Sequence, residues 1–146
     1  MASLSELIED PSKRNQIIDD CVKLVDEEVG DKGGLSGIVI KTVLGAVKGA
    51  KPGFVRGVVS SLLPEFVAAL NPLFMEAQAA GKTASSHFAA NPSRVSGALL
   101  GITDAKVRDA DSAVVKTGYE KLRGTAPKHI ESAIPRLGAL LDRHNK

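Results

Sequence analysis

The sequence predicts an all-α fold, a compact single-domain bundle of six to eight helices around a central apolar helix at residues 35–50. Apolar residues recur at spacings of three and four along most of the chain, as they do on one side of a helix. The alternation of apolar and polar residues that is typical of strands is nearly absent. Pairs of a capping residue and a proline, such as Asp10-Pro11, recur where helices can begin.

The first elements are a short helical turn over residues 3–9 and a long helix that begins at Asp10-Pro11. The Asp10 carboxylate can accept hydrogen bonds from the unpaired N–H groups of the first turn, where a proline forfeits no bond. Gly30 and the Gly33-Gly34 pair are expected to end this helix. Its apolar stripe consists of Ile17, Ile18, Cys21, Val22, Leu24, Val25 and Val29.

The next helix, residues 35–50, is predicted to lie at the centre of the bundle. Apolar residues cover most of its circumference, and Lys41 and Lys48 share the narrow remainder. A helix of this kind is either buried or associated with a membrane. Because residues 55–74 supply a second large apolar face, we expect the two faces to cover each other. The side chains that this arrangement would bury include Ile38, Val43 and Val47.

Residues 55–80 are predicted to form two helices. Pro64, and later Pro135, lie inside apolar stripes and indicate kinks, since an interior proline removes a backbone hydrogen bond. Asn71-Pro72 repeats the pattern of a cap followed by a proline, so a new helix is expected there. A short helix is expected over residues 83–90.

The last third of the chain is predicted to contain three helices. Asn91-Pro92 opens the first, and residues 103–111 form a polar connection after it. Asp111 or Ser112 caps the second helix. Pro127 opens the third, which carries the apolar residues Ile130, Ile134, Leu137, Leu140 and Leu141.

Charge is distributed unevenly along the predicted single domain. Residues 33–103, the expected core helices, contain only eight charged residues, whereas residues 1–32 are acidic and residues 104–146 are basic. We interpret the asymmetry as two flanks that attract each other, with a charged partner as the alternative. A net charge of +2 and the lack of an aromatic stacking platform argue against nucleic acid as that partner.

The sequence offers no convincing catalytic, metal or cofactor site. Gly81-Lys82-Thr83 matches the end of a phosphate-binding loop, but Glu76 occupies the position of the required first glycine and no strand precedes it. The three histidines, His87, His129 and His144, lack the spacing of metal ligands on a helix. We therefore predict no catalytic residue, no metal and no cofactor, and an enzyme of unknown class is the weakest alternative.

The single cysteine, Cys21, excludes an intrachain disulfide, and its place on an apolar stripe favours a small buried hydrophobe over a reactive thiol. The N-terminal residues do not fit a signal peptide. Uncharged runs such as residues 66–75 are about ten residues long, below the ~18 needed to span a bilayer. We expect a cytoplasmic protein without a transmembrane segment.

These observations predict a non-catalytic binding or protein-interaction module, with self-association as one form of that interaction. The alternative is a peripheral membrane or lipid-binding protein, in which the cations of the central helix and the turn after it contact an anionic surface. The candidate contact residues are Lys41, Lys48, Lys51 and Arg56. A groove for an apolar ligand or a partner helix is a further option.

Six short stretches occur in a suggestive order: Leu4 through Asp10-Pro11-Ser12-Lys13-Arg14, Leu35-Ser36-Gly37, Lys51-Pro52-Gly53-Phe54-Val55-Arg56, Leu63-Pro64-Glu65-Phe66, Tyr119-Glu120-Lys121-Leu122-Arg123 and Ile134-Pro135-Arg136-Leu137. In this order they resemble a family of short bacterial proteins known only as a domain of unknown function, and the similarity covers nearly the whole chain. The resemblance implies a bacterial single-domain protein and transfers no functional residue.

Overall fold

A computed structural model of the protein describes residues 3–31 and 34–145, without the side chains of residues 35 and 36. The predicted helix terminator Gly33 therefore lies outside the described residues. Within them the chain forms eight helices and no strands, which confirms the all-α prediction. The helices are α1 (Leu4–Leu7), α2 (Pro11–Asp31), α3 (Gly34–Ala50), α4 (Phe54–Ala79), α5 (Ala84–Ala90), α6 (Pro92–Arg108), α7 (Ala113–Arg123) and α8 (Ala126–His144).

The main buried cluster is formed by α1, α2, α4, α5, α6 and α8. Its members are Leu4, Ile17, Ile18, Leu63, Val67, Leu70, Leu73, Phe74, Ala84, Phe88, Val95, Ile134, Leu140 and Leu141. Phe74 and Phe88, the aromatic side chains at its centre, are almost completely buried. The two charged flanks of the sequence thus contribute six of these fourteen residues, and the apolar middle contributes eight.

Helix α3 does not lie at the centre of the bundle, and this part of the prediction was wrong. Ile38 is 63% exposed, although Val47 and Ile40 on the opposite side are buried. The helix packs mainly against α7, at the periphery. The larger side chains of α4, α5 and α8 fill the centre instead.

Helix α4 runs without a break through Pro64 and Pro72, so the predicted new helix at residue 72 was wrong. Pro64 leaves the Ser60 carbonyl without its helical donor, and the Arg14 guanidinium donates to that carbonyl at 3.4 Å. The Asn71 amide oxygen accepts a hydrogen bond from the Leu4 N–H at 3.0 Å. Asn71 therefore holds the start of α1 and does not begin a helix of its own.

The boundaries of α5 and α6 also show where a cap was misassigned. Asn91 occupies the residue before α6, but its side-chain amide donates to the His87 carbonyl at the end of α5. Helix α6 continues to Arg108, through most of the predicted polar connection. Ser112 caps α7 as expected, accepting a hydrogen bond from the Val115 N–H.

Helices α5 and α8 approach each other closely. A Cβ placed on Gly138 would lie 2.5 Å from the Ser85 Cα, so only glycine fits there. One turn further along α8, the Asp142 carboxylate accepts hydrogen bonds from the Ala84 and Ser85 N–H groups at 2.9 and 3.2 Å and from the Ser85 hydroxyl at 2.8 Å. An α8 side chain thus supplies acceptors for the unpaired N–H groups at the start of α5.

Helix α4 is the one described helix that is long and apolar enough to cross a membrane. Length and composition alone are weak evidence for a membrane span, because core helices meet the same criteria. The length of the uncharged runs in the sequence did not indicate this helix, because Glu65 and Glu76 interrupt its apolar sequence. Residues on one side of α4, including Leu63, Val67 and Phe74, lie in the buried cluster.

A charged cluster joins the end of α4 to α5 and α6. Arg94 donates two hydrogen bonds to the Glu76 carboxylate, at 2.9 and 2.8 Å, and the His87 Nε2 lies 2.9 Å from the same group. The hydrogen bonds from Arg94, and then the one with His87, lower the pKa of Glu76 to about 2. Glu76 consequently stays ionised far into the acid range.

Because α5 and α8 approach each other closely, we expect a methyl group added at Gly138 to lower the stability of the fold strongly. Gly138→Ala should destabilise the fold by about 1–3 kcal/mol or more, because the backbone at Ser85 has to move. The matched control is Gly97→Ala in α6, where a Cβ meets nothing within 4 Å and helix propensity favours alanine by about 0.5–1 kcal/mol. Urea unfolding measures both, and a Gly138→Ala variant as stable as the wild type would contradict this packing.

The Glu76 cluster predicts an acid-dependent contribution to stability. A carboxyl group whose pKa is lower in the folded state stabilises the fold above its ordinary pKa of 4.5, and this stabilisation is lost as the pH falls towards about 2. Wild type should therefore melt at a higher temperature than Glu76→Gln at pH ~6, and the difference should shrink between pH ~4.5 and ~2. Glu120→Gln, at an exposed position of α7, is the control for general charge effects. A melting difference that stays constant with pH would refute the prediction.

Candidate functional site

Helices α3 and α7 form a pair on one side of the bundle. Gly118 of α7 is buried against α3, and a Cβ at that position would lie 2.7 Å from the Val43 Cγ1. The absence of a side chain at Gly118 allows the two helices to pack tightly. Val43 and Val47, two of the residues predicted to lie in the centre of the protein, contact α7 in this way.

The outer surface of this pair is apolar and exposed. The large hydrophobic side chains most exposed among the described residues are Ile38 at 63%, Val39 at 41% and Val114 at 41%, and all three lie on α3 or α7. A shallow groove runs between the two helices beside them. We call this surface the α3–α7 face, and define it by the exposed residues Ile38, Val39, Thr42, Ala46, Ala113, Val114 and Thr117.

The four cations predicted to contact an anionic surface are close in sequence to the residues of this face, but they differ in their ion-pair partners. Lys41 and Lys51 are exposed and form no ion pair with any residue that the structure describes. Lys48 is 3.9 Å from Asp26, a weak contact between exposed groups. Arg56, in contrast, is held by an ion pair and hydrogen bond to Asp19 of α2. The two lysines of α3, Lys41 and Lys48, lie along the edge of its apolar surface that is nearer to α2.

A hydrogen-bonded cluster attaches the pair to α6. The Tyr119 hydroxyl lies 2.7 Å from the Thr103 hydroxyl and donates to Asp104, which also accepts two hydrogen bonds from Arg123 at 2.9 and 3.1 Å. The hydrogen bonds from Arg123 and Tyr119 lower the pKa of Asp104. Burial and the hydrogen bond to Asp104 raise the pKa of Tyr119, so its hydroxyl stays protonated at neutral pH.

A large apolar cavity, partly open to solvent, lies within the main bundle. It has a volume of about 280 Å³ and is lined by side chains from α1, α2, α4, α6 and α8. Its lining is aliphatic and aromatic apart from the Cys21 thiol and Thr103, whose hydroxyl is already engaged with the Leu100 carbonyl and Tyr119. Such a cavity resembles the preformed apolar sites that bind small molecules.

A second cavity of about 330 Å³ adjoins the first, beneath the α3–α7 pair. The two cavities share five lining residues from α2, α6 and α8: Leu24, Val25, Leu99, Ile130 and Leu137. Ile40 of α3 and Leu122 of α7 line the second cavity on its outer side. The inner side of the α3–α7 pair thus covers an apolar space, while its outer side forms the exposed face.

Cys21 is part of the cavity wall. Burial, and then the nearby charge of Asp20, raise the pKa of its thiol to about 11. The thiol is therefore protonated at neutral pH and a poor nucleophile. This agrees with the prediction that Cys21 behaves as a small buried hydrophobe.

The histidines belong to separate environments. His87 on α5 pairs with Glu76. The buried His144, at the end of α8, lies 2.6 Å from Asp20. Burial raises the pKa of Asp20, but the hydrogen bond with His144 and the charges of His144 and Arg143 outweigh it and lower the pKa below its ordinary value. His129 lines the second cavity.

Neither a triad nor a metal centre is assembled from the described residues. Ser85 lies two residues before His87 in the sequence, but its hydroxyl donates a hydrogen bond to Asp142 and not to a histidine. Within residues 3–31 and 34–145, no group of three or more His, Cys, Asp or Glu side chains could hold a metal ion.

Sequence reasoning missed the part of the surface that α7 contributes. The sequence predicts a helix after Ser112, but nothing in it shows that this helix pairs with α3. The small residue Gly118, flanked by Val43 and Val47 in the structure, is the one local signal of close helix packing. Most of the cavity residues on α2 and α8 were assigned correctly to apolar stripes, but their spacing does not reveal that the stripes leave a space between them.

Comparison with known proteins gives one match. A family model described as Family of unknown function (DUF6918) matches residues 4–145. No curated protein and no solved structure matches the chain. Because the match covers nearly the entire sequence, the protein belongs to the DUF6918 family of unknown function.

Proposed function

We propose that the protein is a non-catalytic binding module that docks reversibly, through the α3–α7 face, on an anionic lipid surface. The observation that carries the proposal is the concentration of exposed large hydrophobic side chains, Ile38, Val39 and Val114, on this one surface. Exposed apolar residues that are gathered in a patch mark interaction sites, whereas scattered ones do not.

The sequence argument against membrane association depended on α4 covering the apolar side of α3. In the structure α3 packs mainly on α7, and its outer half stays exposed. That objection no longer applies. The composition of α3, with a broad apolar face and lysines along one border, is the pattern of helices that lie in the membrane interface.

Charge favours a lipid surface over a second copy of the chain. The described exposed residues of α3 include Lys41 and Lys48 but no acidic residue, and Lys121 lines the groove beside α7. A second copy docked on the same face would bring these lysines together without an acidic counterpart. Anionic lipid headgroups would neutralise them, contributing about 1 kcal/mol for each lysine near the surface.

The expected strength of binding to the membrane follows from the small number of side chains that contact it. Three lysines contribute about 3 kcal/mol, and partial burial of Ile38, Val39 and Val114 adds about 1–2 kcal/mol for each side chain at most. Binding of this size is reversible and weakens as salt screens the charges. The face therefore suits transient attachment and not permanent anchoring.

Co-sedimentation with vesicles tests the proposal. The protein should bind vesicles that contain phosphatidylserine at low salt, and should bind pure phosphatidylcholine much more weakly. Lys41→Glu should reduce binding at least about fivefold, because it removes one favourable charge and adds a repulsive one. Ile38→Asp should also reduce binding, while its unfolding free energy should change by less than about 0.5 kcal/mol because the side chain is exposed.

The matched control is Lys82→Glu, an identical charge reversal in the turn beyond α4. Helix α4 has 26 residues and is about 39 Å long, so Lys82 lies far from the end that meets α3. Absence of binding at low salt, or equal losses in Lys41→Glu and Lys82→Glu, would refute the proposal. If light scattering instead detects a dimer that Ile38→Asp dissociates, and vesicles are not bound, the face is an interface between two copies of the chain.

A further inference from the structure

The two apolar cavities adjoin each other. They share Leu24 and Val25 on α2, Leu99 on α6, and Ile130 and Leu137 on α8. We call the two cavities together the apolar passage. We propose that the passage binds one unbranched aliphatic chain whose polar end carries a hydrogen-bond donor. This inference goes beyond the proposed docking on lipid and does not depend on it.

The shape of the passage favours a linear ligand. Its lining positions on α2 extend from Ile17 to Val29, which is twelve residues or about 18 Å along the helix axis. On α8 they extend from Ala126 to Leu141, about 22 Å. A space this long, lined along both α2 and α8, matches an extended hydrocarbon chain better than a compact ring system.

The walls leave the inner part of the ligand without polar partners. No charged side chain lines the inner cavity, the Thr103 hydroxyl is occupied, and the Cys21 thiol is neutral. A polar group placed there would lose its water without gaining a hydrogen bond, which is unfavourable. The inner part of the ligand is therefore hydrocarbon.

The outer cavity supplies an acceptor for the polar end. The Glu28 Oε2 accepts a hydrogen bond from Arg136 at 2.8 Å, whereas its Oε1 is buried and has no hydrogen-bond partner among the described residues. A buried carboxylate oxygen without a donor is costly, so a ligand hydroxyl or amide N–H would satisfy it once the Glu28 side chain turns its Oε1 into the cavity. A ligand carboxylate would meet the Glu28 charge and be disfavoured.

Titration with alcohols and acids of increasing chain length tests both parts of the inference. Calorimetry with octanol, decanol and dodecanol should show saturable binding to one site, with the Kd falling about fifteenfold from each alcohol to the next until the passage is full. Dodecanoate at neutral pH should bind at least tenfold more weakly than dodecanol. Glu28→Gln should remove most of that difference, because it removes the charge at the polar end.

Filling the passage should block binding. Val25→Phe adds a ring at a residue that both cavities share, and is expected to weaken dodecanol binding at least tenfold. Val114→Phe makes the same change on the exposed α3–α7 face and should leave binding unaltered. If Val25→Phe fails to fold, Ala133→Leu in the outer cavity takes its place.

The single cysteine gives a readout on the unmodified protein. Because Cys21 lines the inner cavity, dodecanol should slow its reaction with N-ethylmaleimide, and a ligand bound elsewhere should not. Absence of saturable binding, an affinity that does not rise with chain length, or an alkylation rate unchanged by bound dodecanol would overturn the inference. Equal affinities of dodecanol and dodecanoate would overturn the part that concerns Glu28.

Discussion

The close approach of α5 and α8 is the constraint on which the arrangement of the main bundle depends. Gly138 leaves no room for a side chain against Ser85, and Asp142 satisfies the first N–H groups of α5. This contact fixes the short helix α5 against α8, and Phe88 is thereby held, fully buried, in the centre of the core. The remaining helices of the cluster pack around it, so one glycine and one carboxylate determine where the largest side chains go.

The α3–α7 pair is attached to the protein differently from the helices of the main bundle. Its seam at Gly118 and Val43 is tight, but it is attached to the other helices chiefly through the hydrogen bonds of Tyr119 and through Ile40 and Leu122, which face the apolar passage. One side of the pair thus closes an internal space, and the other side presents exposed hydrophobic residues. Any contact that moved the outer face would also act on the covering of the passage, since the same two helices form both.

The sequence was sufficient to predict the fold class and most helix boundaries, because these depend on local patterns: apolar spacing and caps such as Asp10 and Ser112. It was insufficient wherever a side chain acts at a distance. Asn71 was taken as the cap of a new helix, but its acceptor is used by α1, 67 positions away in the chain. The central placement of α3 failed because the composition of a helix does not reveal which helix it packs against, and α3 packs mainly against α7. The role of the four cations stays a prediction, and the ion pair that holds Arg56 to α2 could not be predicted because it depends on the tertiary structure.

The position of Tyr119 has a spectroscopic consequence. The chain has one tyrosine and no tryptophan, so its ultraviolet emission comes almost entirely from this ring. The phenol group stands at the joint between α6 and α7, in contact with Thr103 and Asp104. Displacement of α7 transfers that group to water and alters its quenching by the neighbouring carboxylate. The molecule thus contains, at the joint of its peripheral helix pair, an intrinsic fluorophore that reports on local opening without any label.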